Sequence, residues 1–401
     1  MKLMKNQRLL PIAMLGYLFV LGLDTGGLQK ILLEIAEEYE LSYVKMSGLV
    51  TAKCTANFIC ILIFGPVSDK VGKKRILLGA AAVFAAGCLM AAGSSSFEMM
   101  AAAIVLIGMA FGVCEGLSSA LLADVFPQKR EQILTLSQGM YSCGAVLGPF
   151  LSSIFMKYTP GGWRTEFGVL AFLMVGMAGL LWTAKIPITS GLKNTGENNS
   201  ANSKDKGGNY KMTLAVVAVL FGAMLLYSGM ENGLGYFMDT IFDRGYGAAE
   251  LSAFAISGMW LAMLISRMIC ATAKNGQERI VFSALIACTV ISAGLLHAEN
   301  EKIALLLCIL AGAAFGPVWP MLIGFAMREM PECSGTVTSW MAASSAIGAS
   351  VFPLFMGKAA DYWNNEKYAV GIFVMISMAA AGMFGLYKMM IRRGMRDERG
   401  A

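Results

Sequence analysis

Histidine is almost missing from this chain, and charge is scarce. One histidine, His297, occurs in 401 residues, and only 14% of residues are Asp, Glu, Lys or Arg. With a single imidazole, neither a histidine-rich metal centre nor a serine–histidine relay has its parts. His297 itself falls near a loop and is given no role. The nine cysteines lack CxxC spacing and read as small apolar packing residues, with no disulfide or metal role expected. The phosphate-cradling strings GxGxxG and GxxxxGK[S/T] do not occur. No enzyme, cofactor or metal is therefore expected. A cleavable leader is not apparent either, because the first apolar run is long and has no clear small-residue cleavage site.

What the chain has instead is apolar surface. Hydrophobic residues make up 57% of it, and the mean hydropathy is +0.63. A soluble fold of this length cannot hide that much apolar area from water, so lipid must be the main solvent. About twelve stretches reach membrane-spanning length, near 9–30, 44–66, 75–94, 99–122, 132–156, 167–187, 212–236, 249–271, 280–297, 302–327, 336–357 and 368–391. Each is expected to be helical, since lipid offers no partner to an open backbone.

An internal repeat organises these spans. Asp69-Lys-Val-Gly72-Lys-Lys-Arg75 is echoed by Ala273-Lys-Asn-Gly276-Gln-Glu-Arg279, and Gly72 and Gly276 stand 204 residues apart. Gly108 and Gly112 recur at that offset as Gly312 and Gly316, and Gly144 and Pro149 recur as Gly348 and Pro353. Three matches at one offset indicate a duplicated unit. The fold class read from this is an all-α membrane protein of twelve transmembrane helices in two pseudo-symmetric six-helix halves. The halves are 1–189 and 211–401. Residues 190–210, rich in Asn, Ser, Gly and Lys, form the linker between them.

Basic residues orient the chain. With both termini cytoplasmic, most of the 32 Lys and Arg fall on the cytoplasmic side, among them Lys70, Lys73, Lys74, Arg75, Lys129, Arg130, Arg392 and Arg393. The net charge of +6 is thus a topological signal, and no nucleic-acid partner is expected. The expected setting is a plasma or inner membrane, with the lipid bilayer as partner and a monomer sufficient for function.

Gly65-Pro-Val-Ser-Asp69-Lys-Val-Gly72-Lys73-Lys74-Arg75 resembles the loop motif between helices 2 and 3 of the major facilitator superfamily. Asp124 through Arg130 and Gly162-Trp163-Arg164 resemble further signatures of that family. The likeness runs over nearly the whole chain and implies secondary transport by alternating access. It also implies a cytoplasmic gate formed by Gly65, Asp69, Gly72, Lys73, Lys74, Arg75 and Arg130, with Gly65 permitting close helix approach. Within the superfamily, Tyr227-Ser-Gly229-Met-Glu231, Trp260 with Ser266-Arg267, and Gly112-Val-Cys114-Glu115 are similar to the fucose-permease-like branch of sugar–proton symporters. That branch carries a proton-coupling glutamate at the position of Glu115. Its coupling aspartate in the first span aligns here near Lys30, and Asp24, six residues earlier, is the nearby acid.

Charges inside the spans point the same way. At 1.5 Å per residue, Asp24 and Lys53 both lie roughly 21 Å from the cytoplasmic boundary on adjacent helices. Matched depth on adjacent helices allows an ion pair without establishing one, and an uncompensated charge at mid-span costs on the order of 3 kcal/mol or more. Such a pair is read either as protonatable and substrate-gated or as a static bridge. Glu115 lies roughly 16 Å from Phe126, near mid-membrane, where burial disfavours a carboxylate's charge; a proton carrier needs that property. Glu231 is expected near the outer end of the seventh span, with Gly229, Gly233 and Gly235 able to break the helix. Arg267 near the inner end of the eighth span reads as a snorkelling side chain. Gln29, Gln138, Tyr141, Tyr227, Asn232, Trp260, Trp319 and Trp340 are the remaining candidates to line a cavity. Trp319 is singled out because it occupies the position that duplicates Glu115.

Two transport readings follow. The first is proton-coupled uptake of a small polar solute, a sugar or related metabolite, with Glu115 and Asp24 handling protons. The second is proton-driven export of drugs or amphipathic metabolites. It is motivated by the 30 methionines and by Gly144-Ala-Val-Leu-Gly148-Pro149, which resembles a motif of drug–proton antiporters.

Overall fold

Without water to satisfy it, the backbone of each apolar stretch closes on itself, and the chain is helical throughout its spans. The structure is a computed structural model that describes residues 5–126, 130–185, 207–271, 275–330, 334–363, 365 and 367–400. The helices are α1 (Lys5–Glu38), α2 (Tyr43–Val71), α3 (Lys73–Ala92), α4 (Phe97–Val125), α5 (Arg130–Tyr158), α6 (Trp163–Thr183), α7 (Gly207–Thr240), α8 (Ala249–Ala271), α9 (Gln277–His297), α10 (Glu301–Phe315), α11 (Val318–Glu329), α12 (Ser334–Trp363) and α13 (Lys367–Gly400). Among the described residues, 12 spans are long and apolar enough to cross a membrane, with α10 and α11 together forming one of them. Six crossings precede residues 186–206 and six follow. Lys185 and Gly207, which flank that segment, and the described ends at Lys5 and Gly400 therefore share one face, called here the linker face; the opposite one is the far face. Helix α7 begins at Gly207, inside the stretch read from sequence as linker, and residues 190–206 of that stretch lie outside the described residues.

The repeat has a packing meaning. A β-carbon on Gly108 of α4 would lie 2.4 Å from the Lys53 carbonyl oxygen of α2, and one on Gly312 of α10 would lie 2.1 Å from the Met259 carbonyl oxygen of α8. Likewise Gly144 of α5 would meet Phe19 of α1 at 2.2 Å, and Gly348 of α12 would meet Leu225 of α7 at 2.0 Å. The duplicated glycines let the same pairs of helices touch backbone to backbone in each half. Gly65 does not behave as expected: nothing lies within 4 Å of a β-carbon there, so it supports no close helix approach in this conformation.

Two spans run further than their apolar patterns. The first continues to Glu38, past the expected end near residue 30, and the seventh continues to Thr240 and a π turn over Ile241–Gly245, past residue 236. The reason is that Lys30, Glu34 and Asp239 compensate one another inside the structure, so charge does not force the helices to end. Glu231 accordingly sits two turns inside α7, not near its end. Gly229, Gly233 and Gly235 leave the helix unbroken and instead receive Phe352, Met356 and Gln29 against their bare faces.

The break in the tenth span falls at Gly316-Pro317, where proline supplies no amide hydrogen. The Tyr227 hydroxyl donates to the Phe315 carbonyl at 3.1 Å, and Arg267 Nε donates to the Gly316 carbonyl at 3.2 Å. Arg267 therefore turns inward to satisfy a broken helix and does not snorkel. Irregular backbone within a membrane requires partners of this kind.

Candidate functional site

The charged residues of α1 organise the interior. Asp24 Oδ2 accepts from Lys53 Nζ of α2 at 2.5 Å, with the two side chains 1% and 6% exposed, so the pair that matched depth allows is formed. The same ammonium lies 5.2 Å from the centre of the Phe111 ring on α4. Asp24 Oδ1 is buried and has no hydrogen-bond partner. One residue along, Thr25 and Tyr141 of α5 share a hydrogen bond of 2.8 Å.

Tyr141 leads to the boundary between halves. Its ring meets Trp260 of α8 edge-on at 6.0 Å and Phe111 at 6.4 Å. Trp260 Nε1 donates to Gln29 Oε1 of α1 at 2.9 Å, a buried bond from one half to the other. Glu115 of α4 lies within electrostatic reach of Tyr141, yet forms no hydrogen bond or ion pair among the described residues. In the second half, Glu231 neighbours Tyr227 and Arg267. Asn232 Nδ2 donates to the Ser228 carbonyl at 2.9 Å.

The structure thus brings together Asp24, Lys53, Gln29, Tyr141, Glu115 and Trp260, with Glu231 of α7 within electrostatic reach of Tyr141, while the hydrogen bonds of Tyr227 and Asn232 among the described residues stay in the second half. Three candidates stand apart. Gln138 is half-buried about one turn nearer the linker face than Tyr141, and its carbonyl accepts from Ser142. Trp340 is 41% exposed. Trp319 packs against the hydrophobic core at the start of α11, immediately after the helix break.

Sequence reasoning missed two sites. Lys30 donates to Asp239 of α7 at 2.7 Å and to Glu34 at 3.2 Å, a buried cross-half cluster. Glu166 of α6 is buried; its Oε2 accepts from Ser152 Oγ at 2.5 Å, and a β-carbon on Gly27 would lie 1.6 Å from its Oε1. Glu34, Asp239 and Glu166 all lie just outside the apolar patterns, and all three look like solvated ends in a hydropathy reading. The alignment of Lys30 with a functional aspartate was the available signal for the first.

The halves are tied near the far face. Asp361 of α12 accepts from the Tyr43 and Val44 amides at 2.8 Å each, capping α2 of the other half. Thr51 donates to the Ser350 carbonyl at 2.6 Å, Phe150 meets Phe254 at 5.2 Å, and Arg244 pairs with Glu37. Within the first half, Arg164 grips both oxygens of Glu38 at 2.7 and 2.5 Å. In the second half, the Tyr246 hydroxyl donates to the Ala298 carbonyl at 3.0 Å, and burial, with a lesser contribution from Cys308, raises that phenol above its ordinary value.

On the linker face the motif's bonds among the described residues stay within one half. Lys73 pairs with Asp124 at 2.6 Å, and Lys74 donates to the Trp182 and Ala184 carbonyls at 3.0 and 2.7 Å, closing the C-terminus of α6. Gly72 joins α2 to α3 at φ 98°, and Arg75 is exposed. The side chains of Asp69 and Arg130 lie outside the described residues. In the second half Arg328 of α11, which duplicates Asp124, meets Glu278 of α9, which duplicates Lys74, at 3.2 Å, a neighbouring pair with its signs exchanged.

Twelve spans in two repeated halves, meeting at a polar boundary in mid-bundle, define a multi-pass integral membrane protein. Residues 14–353 match the family model of the Major Facilitator Superfamily. The chain belongs to that superfamily. It is 25% identical to the D-xylose transporter of Levilactobacillus brevis over 404 aligned residues, covering 89% of this chain and 86% of that one. It is 31% identical to the galactose-proton symporter of Escherichia coli strain K12 over 159 residues, 39% of this chain and 33% of the symporter. That match therefore spans about a third of the symporter's length. Among solved structures, the nucleoside transporter NupG superimposes with a TM-score of 0.74 at 14% identity, covering 97% of this chain and 99% of that one. A bacterial homologue of the human lysosomal transporter Spinster superimposes with a TM-score of 0.79 at 13% identity, covering 97% and 98%. These two likenesses concern the fold.

Proposed function

We propose that the protein is a secondary active transporter that takes up a small polar solute, a sugar or related metabolite, together with protons by alternating access. The observation that carries this is Glu115, a half-buried carboxyl within the bundle with no hydrogen-bonding partner among the described residues, beside a tyrosine that reaches the boundary between halves. Such a group takes up a proton when the site closes and gives it back when the site meets water. Asp24 Oδ1, buried and free, offers an acceptor to a solute hydroxyl, while Lys53 holds the other oxygen. Buried acceptors normally find partners, so the idle oxygen favours a binding role over a static bridge. Gln29, Tyr141 and Trp260 supply an aromatic wall and polar edge next to it. Two relatives with sugar substrates in their names agree with this reading. The glycine–proline string of α5 lends export little weight, because packing of Gly144 and Gly148 against α1 accounts for it.

By the distribution of Lys and Arg, the linker face is cytoplasmic, and the conformation seen here is then tied shut on the outer side. Gly65, Asp69, Gly72, Lys73, Lys74, Arg75 and Arg130 serve as the gate that forms when the cytoplasmic side closes. Purified protein screened by thermal shift against sugars, carboxylates, nucleosides and hydrophobic cations tests the substrate class. Stabilisation by a sugar, followed by its uptake into proteoliposomes along a proton gradient, is the expected result. Stabilisation by hydrophobic cations alone contradicts it.

A further inference from the structure

We propose that Asp361 latches the far face: its carboxylate, on α12 of the second half, holds the N-terminus of α2 in the first, and loss of that charge releases the face. A helix begins with amides that have no carbonyl behind them. In α2 the Lys45 amide donates to the Ser42 hydroxyl at 3.4 Å, while the Tyr43 and Val44 amides donate to Asp361 Oδ1 and Oδ2 at 2.8 Å each. No acid stands in the first turn of α2 itself. The negative charge that a helix N-terminus favours is therefore supplied across the boundary between halves.

Packing delivers the carboxylate to that point. Gly357 lies one turn before Asp361 on α12, and a β-carbon on it would lie 2.6 Å from the Tyr43 carbonyl oxygen and 2.1 Å from Ser47 Oγ. Two turns along α2, Thr51 donates to the Ser350 carbonyl at 2.6 Å. From Thr51 to Tyr43, then, α2 and α12 run side by side in close contact, and the charge sits at the outer end of the seam.

The repeat offers a comparison within the same molecule. The duplicate of α12 against α2 is α5 against α8. At the offset of 204 residues, Lys157 stands for Asp361, Ser153 for Gly357 and Ala255 for Thr51. The amides that duplicate those of Tyr43 and Val44 belong to Gly247 and Ala248. They donate within their own half, to the Asp243 and Phe242 carbonyls at 3.0 and 2.9 Å. Lys157 is exposed, with its ammonium 5.1 Å from the centre of the Tyr158 ring. A lysine has the wrong sign for a helix start, and the amides there are already bonded. The α5–α8 seam carries an apolar contact, Phe150 on Phe254, where the α2–α12 seam carries a charge.

Opening the far face breaks both charge-assisted bonds together, so the latch biases the conformational equilibrium toward the closed face. Asp69, of the gate assigned above to the linker face, stands near the other end of α2, so one helix serves both faces. That consequence for the cycle rests on the transport reading above; the latch itself is measurable without any solute.

Labels at Ser95, between α3 and α4, and at Glu299, between α9 and α10, report the far-face separation from exposed positions in opposite halves. Labels at Lys185 and Asn275 report the linker face in the same way. Bioorthogonal attachment leaves the nine native cysteines in place. Pulsed electron-spin distances are recorded in lipid nanodiscs without solute. Asp361→Asn keeps the size of the side chain but removes its charge and one acceptor. It should raise the open-to-closed ratio of the far face roughly fivefold or more, and shorten the linker-face distance. Gly357→Ala, which forces α12 off α2 without touching the charge, should open the same face. Lys157→Ala should leave both distances as in wild type. Wild-type distances in Asp361→Asn, with or without a loss of thermal stability, overturn the proposal and leave Asp361 a helix cap only. A wild type that lacks the short far-face distance overturns it as well, and so does Lys157→Ala opening the face as far as Asp361→Asn. Failed gradient-driven uptake by wild type with this distance response intact would instead strike the transport reading alone.

Discussion

Replacing Asp24 by Asn strands the Lys53 ammonium in the bundle, and replacing Lys53 by Met strands the Asp24 carboxylate. The pair is 2.5 Å long and nearly solvent-free, so neither survivor finds water. Breaking a buried pair from one side costs about 3–5 kcal/mol, whereas removing both charges is close to neutral. Each single variant should therefore lose about 3 kcal/mol or more, and the double variant Asp24→Asn/Lys53→Met about 1 kcal/mol or less. The resulting coupling energy, on the order of 3 kcal/mol or more, lies well outside the additivity expected of independent sites. Unfolding by SDS in mixed micelles, followed through tryptophan fluorescence, measures all four proteins. Single variants each costing under about 0.5 kcal/mol, with effects that simply add, would refute the buried-pair argument. The double variant separates function from structure: folded, but without the solute-induced thermal shift of wild type, it marks the pair as part of the binding site. A normal shift would mark it as a static bridge.

Further predictions concern packing and paired charges. Gly108→Leu and Gly312→Leu should each destabilise by about 2 kcal/mol or more through backbone overlap, seen as loss of the monodisperse peak in size exclusion; normal elution of both would undo the repeat argument. Arg328→Glu should weaken the protein by about 0.5–1 kcal/mol, with Glu278→Arg restoring it, because these are partly exposed partners; no rescue in a thermal unfolding series would deny the exchanged-sign pairing. Glu166→Gln keeps an acceptor for Ser152 and should preserve stability, while Glu166→Ala should lose about 1–3 kcal/mol by removing a buried hydrogen bond and emptying the space against Gly27, although the Ser152 hydroxyl retains the Gly148 carbonyl at 2.9 Å. Equal thermal unfolding of those two variants would count against the hydrogen bond.

Much of this architecture was legible because lipid simplifies the problem. Apolar runs of spanning length must be helices, and a fixed offset between glycines must mean duplicated helix contacts. Both inferences met their structural counterparts at Gly108, Gly144, Gly312 and Gly348. The matched depth of Asp24 and Lys53 could be read from sequence, since rise per residue converts sequence distance into height, but their pairing needed the structure. What hydropathy conceals is compensation. Lys30, Glu34 and Asp239 look like the water-exposed ends of two spans, because a charge in sequence carries no mark of the opposite charge folded against it. Arg267 is similar: its partner is the Gly316 carbonyl, which lacks a helical donor because Pro320 has no amide hydrogen, and only three-dimensional proximity reveals that. Gly65 failed for the opposite reason, since close approach depends on conformation and the linker-face contacts seen here stay within one half.

The most direct test of the account is uptake by Glu115→Gln in proteoliposomes, once the thermal-shift screen has supplied a solute. Glutamine reproduces the neutral carboxyl in size and polarity but cannot release a proton. The account predicts that the variant binds solute and exchanges it in counterflow, yet fails to concentrate it when a pH gradient is imposed. Accumulation equal to wild type under the same gradient would contradict the assignment of Glu115 as the proton carrier.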